Sequence, residues 1–333
     1  MGAVGLYTHI QANNTRSALL LIGFPILLIG LVWALTLAMM ATGFLPSTGS
    51  LAGDLGRATQ WLVLSAPLAV TVSALWFGIA YLANQAIIDL ATGARPVSRQ
   101  DEPELYNLLE NLCISRGIST PSLRIIEAEG LNAFATGLHE GQYSISVTRG
   151  LLNTLDRAEL EAVLAHELTH VMNRDVRTMV IAAVFAGIIT LLAEVMFRGI
   201  RFGRLGGNAD RNKGAGLMLL IAFGIAAVGY LLAIVIRMSL SRTREYVADA
   251  GAVELTKNPD AMISALRKIS GRAHLEGPDS IRGMFLENRE EGVMGLFATH
   301  PPIEKRIEAL VRYAGGRDFT VTEVEAVEAG PWG

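Results

Sequence analysis

The sequence predicts a mostly α-helical (α+β) protein with four apolar helices and a small β-sheet, and three observations carry that expectation. Residues 18–40, 61–83, 179–197 and 216–236 form apolar runs near the length of about 20 residues needed to cross a bilayer. The charged stretches between and after them show helical spacing. Two short segments of strand character, "SLRIIEA" at 122–128 and "YSISVTR" at 143–149, flank "NAFATG".

Composition supports the same picture. Of 333 residues, 51% are hydrophobic and 18% charged, more apolar than a typical soluble enzyme and in keeping with a membrane protein. A net charge of −3 gives no reason to expect a nucleic-acid partner. Cys113 is the lone cysteine, which excludes an intrachain disulfide and a cysteine-based zinc site. Glu194 is the one charge inside the four runs. A channel or transporter would carry more, and four core helices of a soluble protein would rarely be so free of charge. The first run is too long for a signal peptide and ends on no small-residue cleavage pattern.

The elements follow in order. "DEPELYNLLENLCISRGI" (101–118) predicts a helix capped by Asp101, with Leu105, Leu108, Leu109 and Leu112 on one face. "DRAELEAVLAHELTHVMNRD" (156–175) predicts a helix with Asp156 as N-cap and Glu159 completing a capping box. "TREYVADAGAVELT" and "DAMISALRKIS" predict two more, and "PPIEKRIEALVRYA" a last one opening on proline. The acidic tail from Asp318 is expected to be loose.

Within the 156–175 helix, His166 and His170 stand four apart and share a face, so both imidazoles can address one metal ion. Glu167, about 100° round the helix, lies beside that ion, where a carboxylate can take a proton from water. A catalytic zinc needs a third ligand. Glu194 qualifies by type, but on an unbroken helix it stands about 36 Å along the axis from His170. Glu245 in "SRTREYVAD" is the better candidate. Asp249, one turn later, can accept the second N–H of a ligand histidine. The bland alternative is a solvated acidic face pairing with Arg242 and Arg244. Asn173 faces the His170 side and is either a partner of the site or an ordinary helix polar residue. Asn132, Ala133 and Phe134 are expected on or beside an edge strand, which can hold an extended peptide by main-chain hydrogen bonds; plain core packing is the alternative for Ala133 and Phe134.

"HELTH" followed by "NRD", "NAFATG" upstream, "SRTREYVAD" downstream and "ATHPPIEKRIEAL" near the end resemble the HtpX-type integral-membrane metallopeptidases, relatives of the CAAX prenyl proteases. The resemblance runs over residues 1–313. It implies a membrane-anchored zincin catalytic domain of gluzincin type, one Zn2+ per chain held by His166, His170 and Glu245, and Glu167 as catalytic carboxylate. It also implies that His300 and Arg306 stabilise the tetrahedral intermediate. The implied activity is hydrolysis of peptide bonds in misfolded or membrane-associated proteins. The alternatives are a narrow processing peptidase for lipid-anchored peptides and a metal-binding membrane scaffold that does not cleave.

The domain organisation expected on this basis is an N-terminal transmembrane hairpin (1–88), the first catalytic part with the HExxH helix (89–177), a second apolar hairpin (178–238), the second catalytic part with the third ligand (239–316), and the acidic tail (317–333). Ligands on both sides of the second hairpin must lie on one side of the membrane, so both of its helices cross or neither does. The expected partners are unfolded or membrane protein substrates and the lipid bilayer. Basic residues flanking the runs, eight against six, barely choose a side. A cell (inner) membrane location with the site facing the cytoplasm comes from the resemblance. The oligomeric state is not set by the sequence.

Overall fold

The first two apolar runs become the cores of two long helices, α1 (Leu6–Ala41) and α2 (Leu51–Thr92). The computed structural model describes residues 6–182, 215–239, 243–270, 272 and 301–318. Within α1 and α2, Ser17–Ala41 and Leu51–Ile79 are long and apolar enough to span a bilayer. Only 24% and 11% of these two windows is buried. Leu19, Ile22 and Ile26 of α1 and Val63, Leu64 and Leu68 of α2 are exposed. A helix of a soluble core would hide such side chains; a lipid-facing one has no need to. The run at 216–236 lies in a further helix, α6 (Ala215–Ser239), whose apolar stretch is Gly216–Gly229. Most of the run at 179–197, Glu194 included, lies outside the described residues.

The chain divides into two compact units, one of residues 15–83 and 181–239, the other of 1–14, 84–180 and 240–333. In the first, Ala34, Leu37, Ala38 and Met40 of α1 pack with Ala58 of α2 and Met218 and Ala222 of α6. Small side chains at such contacts let helices approach closely. The loop after α1 is held by the buried Asp54 carboxylate, which accepts from Ser47 Oγ and the Thr48 backbone N–H, each at 2.6 Å.

The second unit is built round a four-stranded sheet: β1 (Arg95–Pro96), β2 (Ser122–Ile126), β3 (Ala133–Thr136) and β4 (Ser144–Thr148), in the spatial order β1-β2-β4-β3. The "NAFATG" segment thus forms a strand of its own, antiparallel to β4 and at the sheet edge. The two strand segments expected from sequence pair parallel as β2 and β4. Gly137 ends β3 at φ +126, and a Cβ there would meet the Gln142 carbonyl oxygen at 2.6 Å, so this turn requires glycine. The last turns of α2 attach to the sheet, with Gln85 accepting from Ser144 Oγ at 2.7 Å and Asp89 pairing with Arg124.

Helix α3 (Pro103–Arg116) buries Leu105, Leu108, Leu109 and Leu112 as its spacing predicts. Its start differs from expectation. Pro103 occupies the first turn and Glu102 the cap position, while Asp101 accepts from the Ser98 N–H and hydroxyl in the preceding turn. Proline at the first helical position removes one of the donors a cap would satisfy. Thr148 then caps the short α4 (Arg149–Thr154).

Helix α5 (Arg157–Met172) opens with the predicted capping box, Asp156 accepting from Ala158 and Glu159 while the Glu159 carboxylate accepts from the Asp156 N–H. Helices α7 (Thr243–Thr256), α8 (Pro259–Ile269) and α9 (Ile303–Ala314) complete the unit. Buried Glu159 also accepts from Ser264 Oγ at 2.5 Å and Lys268 Nζ at 2.6 Å, tying the start of α5 to α8. Glu159→Ala is expected to destabilise this unit by about 2–4 kcal/mol, through a lost cap and lost hydrogen bonds to a charged group. A chemical-denaturation midpoint followed by near-UV circular dichroism measures it, and a change below about 0.5 kcal/mol would refute it.

Candidate metal centre

Helix α5 is buried along nearly its whole length, from Glu159 to Val171, and it carries His166, Glu167 and His170 into the interior. Helix α7 lies against it at close range. A Cβ on Gly251 would come within 2.4 Å of Thr169 Cγ2, so glycine sets the approach of the two helices. That approach brings Glu245, in the first turn of α7, to the histidines. One ligand-capable atom from each of His166, His170 and Glu245 lies within 4.8 Å of the others, and all three residues are buried.

The ring orientations are consistent across the cluster. His166 Nδ1 meets Asp249 Oδ1 at 3.0 Å, and its Nε2 faces Glu245 Oε2 at 3.6 Å. His170 Nδ1 meets Asp175 Oδ2 at 3.0 Å, and its Nε2 faces Glu245 Oε1 at 3.7 Å. Arg306, in the first turn of α9 and 0% exposed, holds Asp249 with two bonds, Nε to Oδ2 at 2.9 Å and Nη2 to Oδ1 at 2.6 Å. Its Nη1 is 3.6 Å from Glu245 Oε2. The acidic face of α7 is therefore interior: Glu245 and Asp249 are both buried, and Arg244 beside Glu245 is buried with them.

These residues fit a zinc ion. Two imidazole nitrogens and a carboxylate oxygen are a suitable donor set for a catalytic site with one open position. Donor atoms around a tetrahedral zinc stand about 3.4 Å apart for bonds near 2.1 Å, close to the separations of both Nε2 atoms from Glu245. Each Nδ1 is engaged by a carboxylate, which would leave Nε2 as the nitrogen available to a metal.

Electrostatics follow from burial and these pairs. Burial works to raise Asp249, but the Arg306 guanidinium outweighs it and holds the carboxyl below its ordinary range. Burial works to lower His166, yet the Asp249 and Glu245 carboxylates push it up to about 9. A ring so placed is protonated at neutral pH without metal and would have to lose that proton to serve as a ligand. Zinc affinity is expected to rise by about tenfold per pH unit between pH 7 and 9 and to level off above. Competition with a calibrated chelator across that range measures it, and a flat profile would contradict the His166 assignment. For Glu167, burial lifts the carboxyl above its usual range, partly offset by His166 and His170.

Glu167 also touches the sheet, accepting from the Ala135 backbone N–H of β3. Thr148 donates its N–H to the Asn132 carbonyl at 3.0 Å, so the alternation of an antiparallel pair turns the main-chain groups of Asn132, Phe134 and Thr136 toward β4 and those of Ala133 and Ala135 toward the outer edge. Asn132, Ala133 and Phe134 are all buried. Asn173 is buried at the C-cap of α5. Asp175, the residue that meets His170, is not indicated by helical spacing. On a continuing helix it would sit on another face, and its one signal was the polar "NRD" that interrupts the helix. His300 lies outside the described residues.

Residues 99–314, from just before α3 to the end of α9, match the model of peptidase family M48. The chain belongs to peptidase family M48. It is a membrane metalloprotease. The M48 relatives include a protease HtpX homologue of Bacteroides fragilis strain YCH46, 41% identical over 323 residues that cover 94% of this chain and 100% of the relative. Another, from Streptococcus gordonii, is 32% identical over 317 residues, covering 92% of this chain and 99% of the relative. The crystal structure of S. mikatae Ste24p aligns with a TM-score of 0.46 at 20% identity, over 72% of this chain and 57% of that one.

Proposed function

We propose that this M48 metalloprotease is a zinc-dependent integral-membrane endopeptidase that cuts misfolded or membrane-associated proteins. The observation that carries the reading is the buried convergence of His166, His170 and Glu245 with Glu167 on the same helix. His166, His170 and Glu245 would hold one Zn2+. When bound, zinc supplies a Lewis acid for the scissile carbonyl and a water acidic enough to attack at neutral pH. Glu167 accepts the proton of the attacking water and delivers it to the leaving amine. His300 and Arg306 serve the negative charge that develops on the carbonyl oxygen. Arg306 has a further part supported by its contacts, holding Asp249 and through it His166.

Substrate is proposed to enter as an extended strand along β3 over the segment Asn132, Ala133 and Phe134, with the outward main-chain groups of Ala133 as the rail while Asn132 and Phe134 hold that strand to β4. Main-chain pairing tolerates many sequences, which suits clearance of unfolded proteins better than a narrow processing role. Asn173 supports the site from the end of α5. The domain scheme proposed is the transmembrane hairpin 1–88, catalytic parts 89–177 and 239–316 on either side of the apolar hairpin 178–238, and the tail 317–333, in the cell membrane with the site on the cytoplasmic face.

The test uses the full chain in detergent with an unfolded casein-like substrate. Chelation should abolish cleavage, and about one equivalent of zinc per chain should restore it. Cleavage that persists after the metal is stripped sinks the reading.

A further inference from the structure

We infer that Asp175 is a positioning residue of the metal site: brought back to α5 by a left-handed break at Arg174, its carboxylate holds the His170 ring with Nε2 toward Glu245. The inference rests on the zinc reading above and concerns a residue that reading does not use.

On an uninterrupted helix, the fifth residue after His170 would stand about 140° round and about 7.5 Å along the axis. It could not reach the His170 ring. The chain instead leaves α-helical geometry at this point. Helix α5 ends at Met172, Asn173 donates its N–H to the Thr169 carbonyl, and Arg174 adopts φ +60 with its N–H on the Val171 carbonyl. Helix resumes at residues 175–182. The break places Asp175 Oδ2 3.0 Å from His170 Nδ1, with both residues 5% exposed. Left-handed backbone is unfavourable for a residue with a Cβ, so the conformation must be held by its surroundings, and the buried Asp175–His170 bond supplies such a hold.

The arrangement mirrors that of the other ligand. Asp249 meets His166 Nδ1 at the same 3.0 Å, but it arrives from α7 and is backed by Arg306. Asp175 arrives from the segment directly after the ligand helix. A carboxylate on Nδ1 fixes which nitrogen carries the proton and leaves Nε2 as the ligand. Two such carboxylates from separate elements orient both rings before a metal enters. His170 therefore keeps its orientation only while the Arg174 break is intact.

The test compares zinc release into excess chelator, and the visible spectrum of the cobalt-substituted protein, in full-length purified variants. Asp175→Ala should release zinc roughly 10- to 100-fold faster and alter the cobalt spectrum. Asp175→Asn keeps an oxygen acceptor and should lie nearer to wild type than alanine does. Arg174→Gly, at ease in the left-handed region, should match wild type. Glu159→Ala is the control for general loosening of α5 and should leave zinc release unchanged. If wild type holds no zinc, the zinc reading and this inference fall together. If wild type holds zinc but Asp175→Ala releases it no faster with an unchanged spectrum, or Glu159→Ala releases it as fast as Asp175→Ala, the role of Asp175 alone is overturned.

Discussion

Replacing Glu167 with glutamine is expected to leave bound zinc unchanged and to lower kcat by about 10²–10⁴-fold or more, the range supplied by a positioned acid–base group. Glutamine is nearly the same size and can still accept from the Ala135 N–H that holds the wild-type carboxylate. It cannot take a proton. Burial keeps the Glu167 carboxyl above its ordinary range, so wild-type kcat/KM should fall as the medium is acidified and that carboxyl protonates. Metal analysis and steady-state cleavage of an unfolded protein settle the matter together. A Glu167→Gln protein that binds zinc and still cleaves at the wild-type rate would remove Glu167 from the mechanism. One that binds no zinc would show that the substitution had damaged the site itself.

The second large effect is expected at Arg306. Arg306→Met should destabilise the catalytic unit by about 3–5 kcal/mol, because it leaves a buried charge uncompensated. The charge is that of Asp249, which the guanidinium grips with two bonds. Without Arg306, burial prevails and the Asp249 carboxyl rises toward protonation. His166 then loses an ionised partner, and zinc binding should weaken with stability. The double variant Arg306→Met/Asp249→Leu separates the two effects. Apolar groups of similar volume can replace a buried ion pair at little cost in stability, but they cannot orient an imidazole. Denaturation should recover toward wild type while zinc affinity stays low. Recovery of both would mean that the pair serves stability alone, and no loss in the single variant would mean that the Arg306–Asp249 contact carries little energy.

Much of the second unit was legible because local rules wrote it. The capping box of α5, the leucine face of α3, the bounds of α7 and the proline-led start of α9 each depend on residues within one or two helical turns. The HExxH pair was legible for the same reason, since four-residue spacing on a helix places two side chains on one face whatever surrounds it. Asp101 is not the cap that its position predicts, because several hydrogen-bonding residues compete at a helix start and the Ser98 turn with Pro103 decides between them. Asp175 escapes the pattern because the backbone break at Arg174, which no helical spacing foretells, brings it back to His170.

The sequence by itself determined the apolar character of α1 and α2, the helix that presents His166, Glu167 and His170, and a short choice of acids for the third ligand. These follow from composition and periodicity. Only the tertiary structure decided that Glu245 and Asp249 face inward, that Gly251 lets α7 close on α5, that Arg306 grips Asp249, and that β3 touches Glu167. Each of these joins residues far apart in the chain, and no local pattern encodes such a meeting. It comes from packing, which buries charged groups only where their partners have been brought within hydrogen-bonding reach.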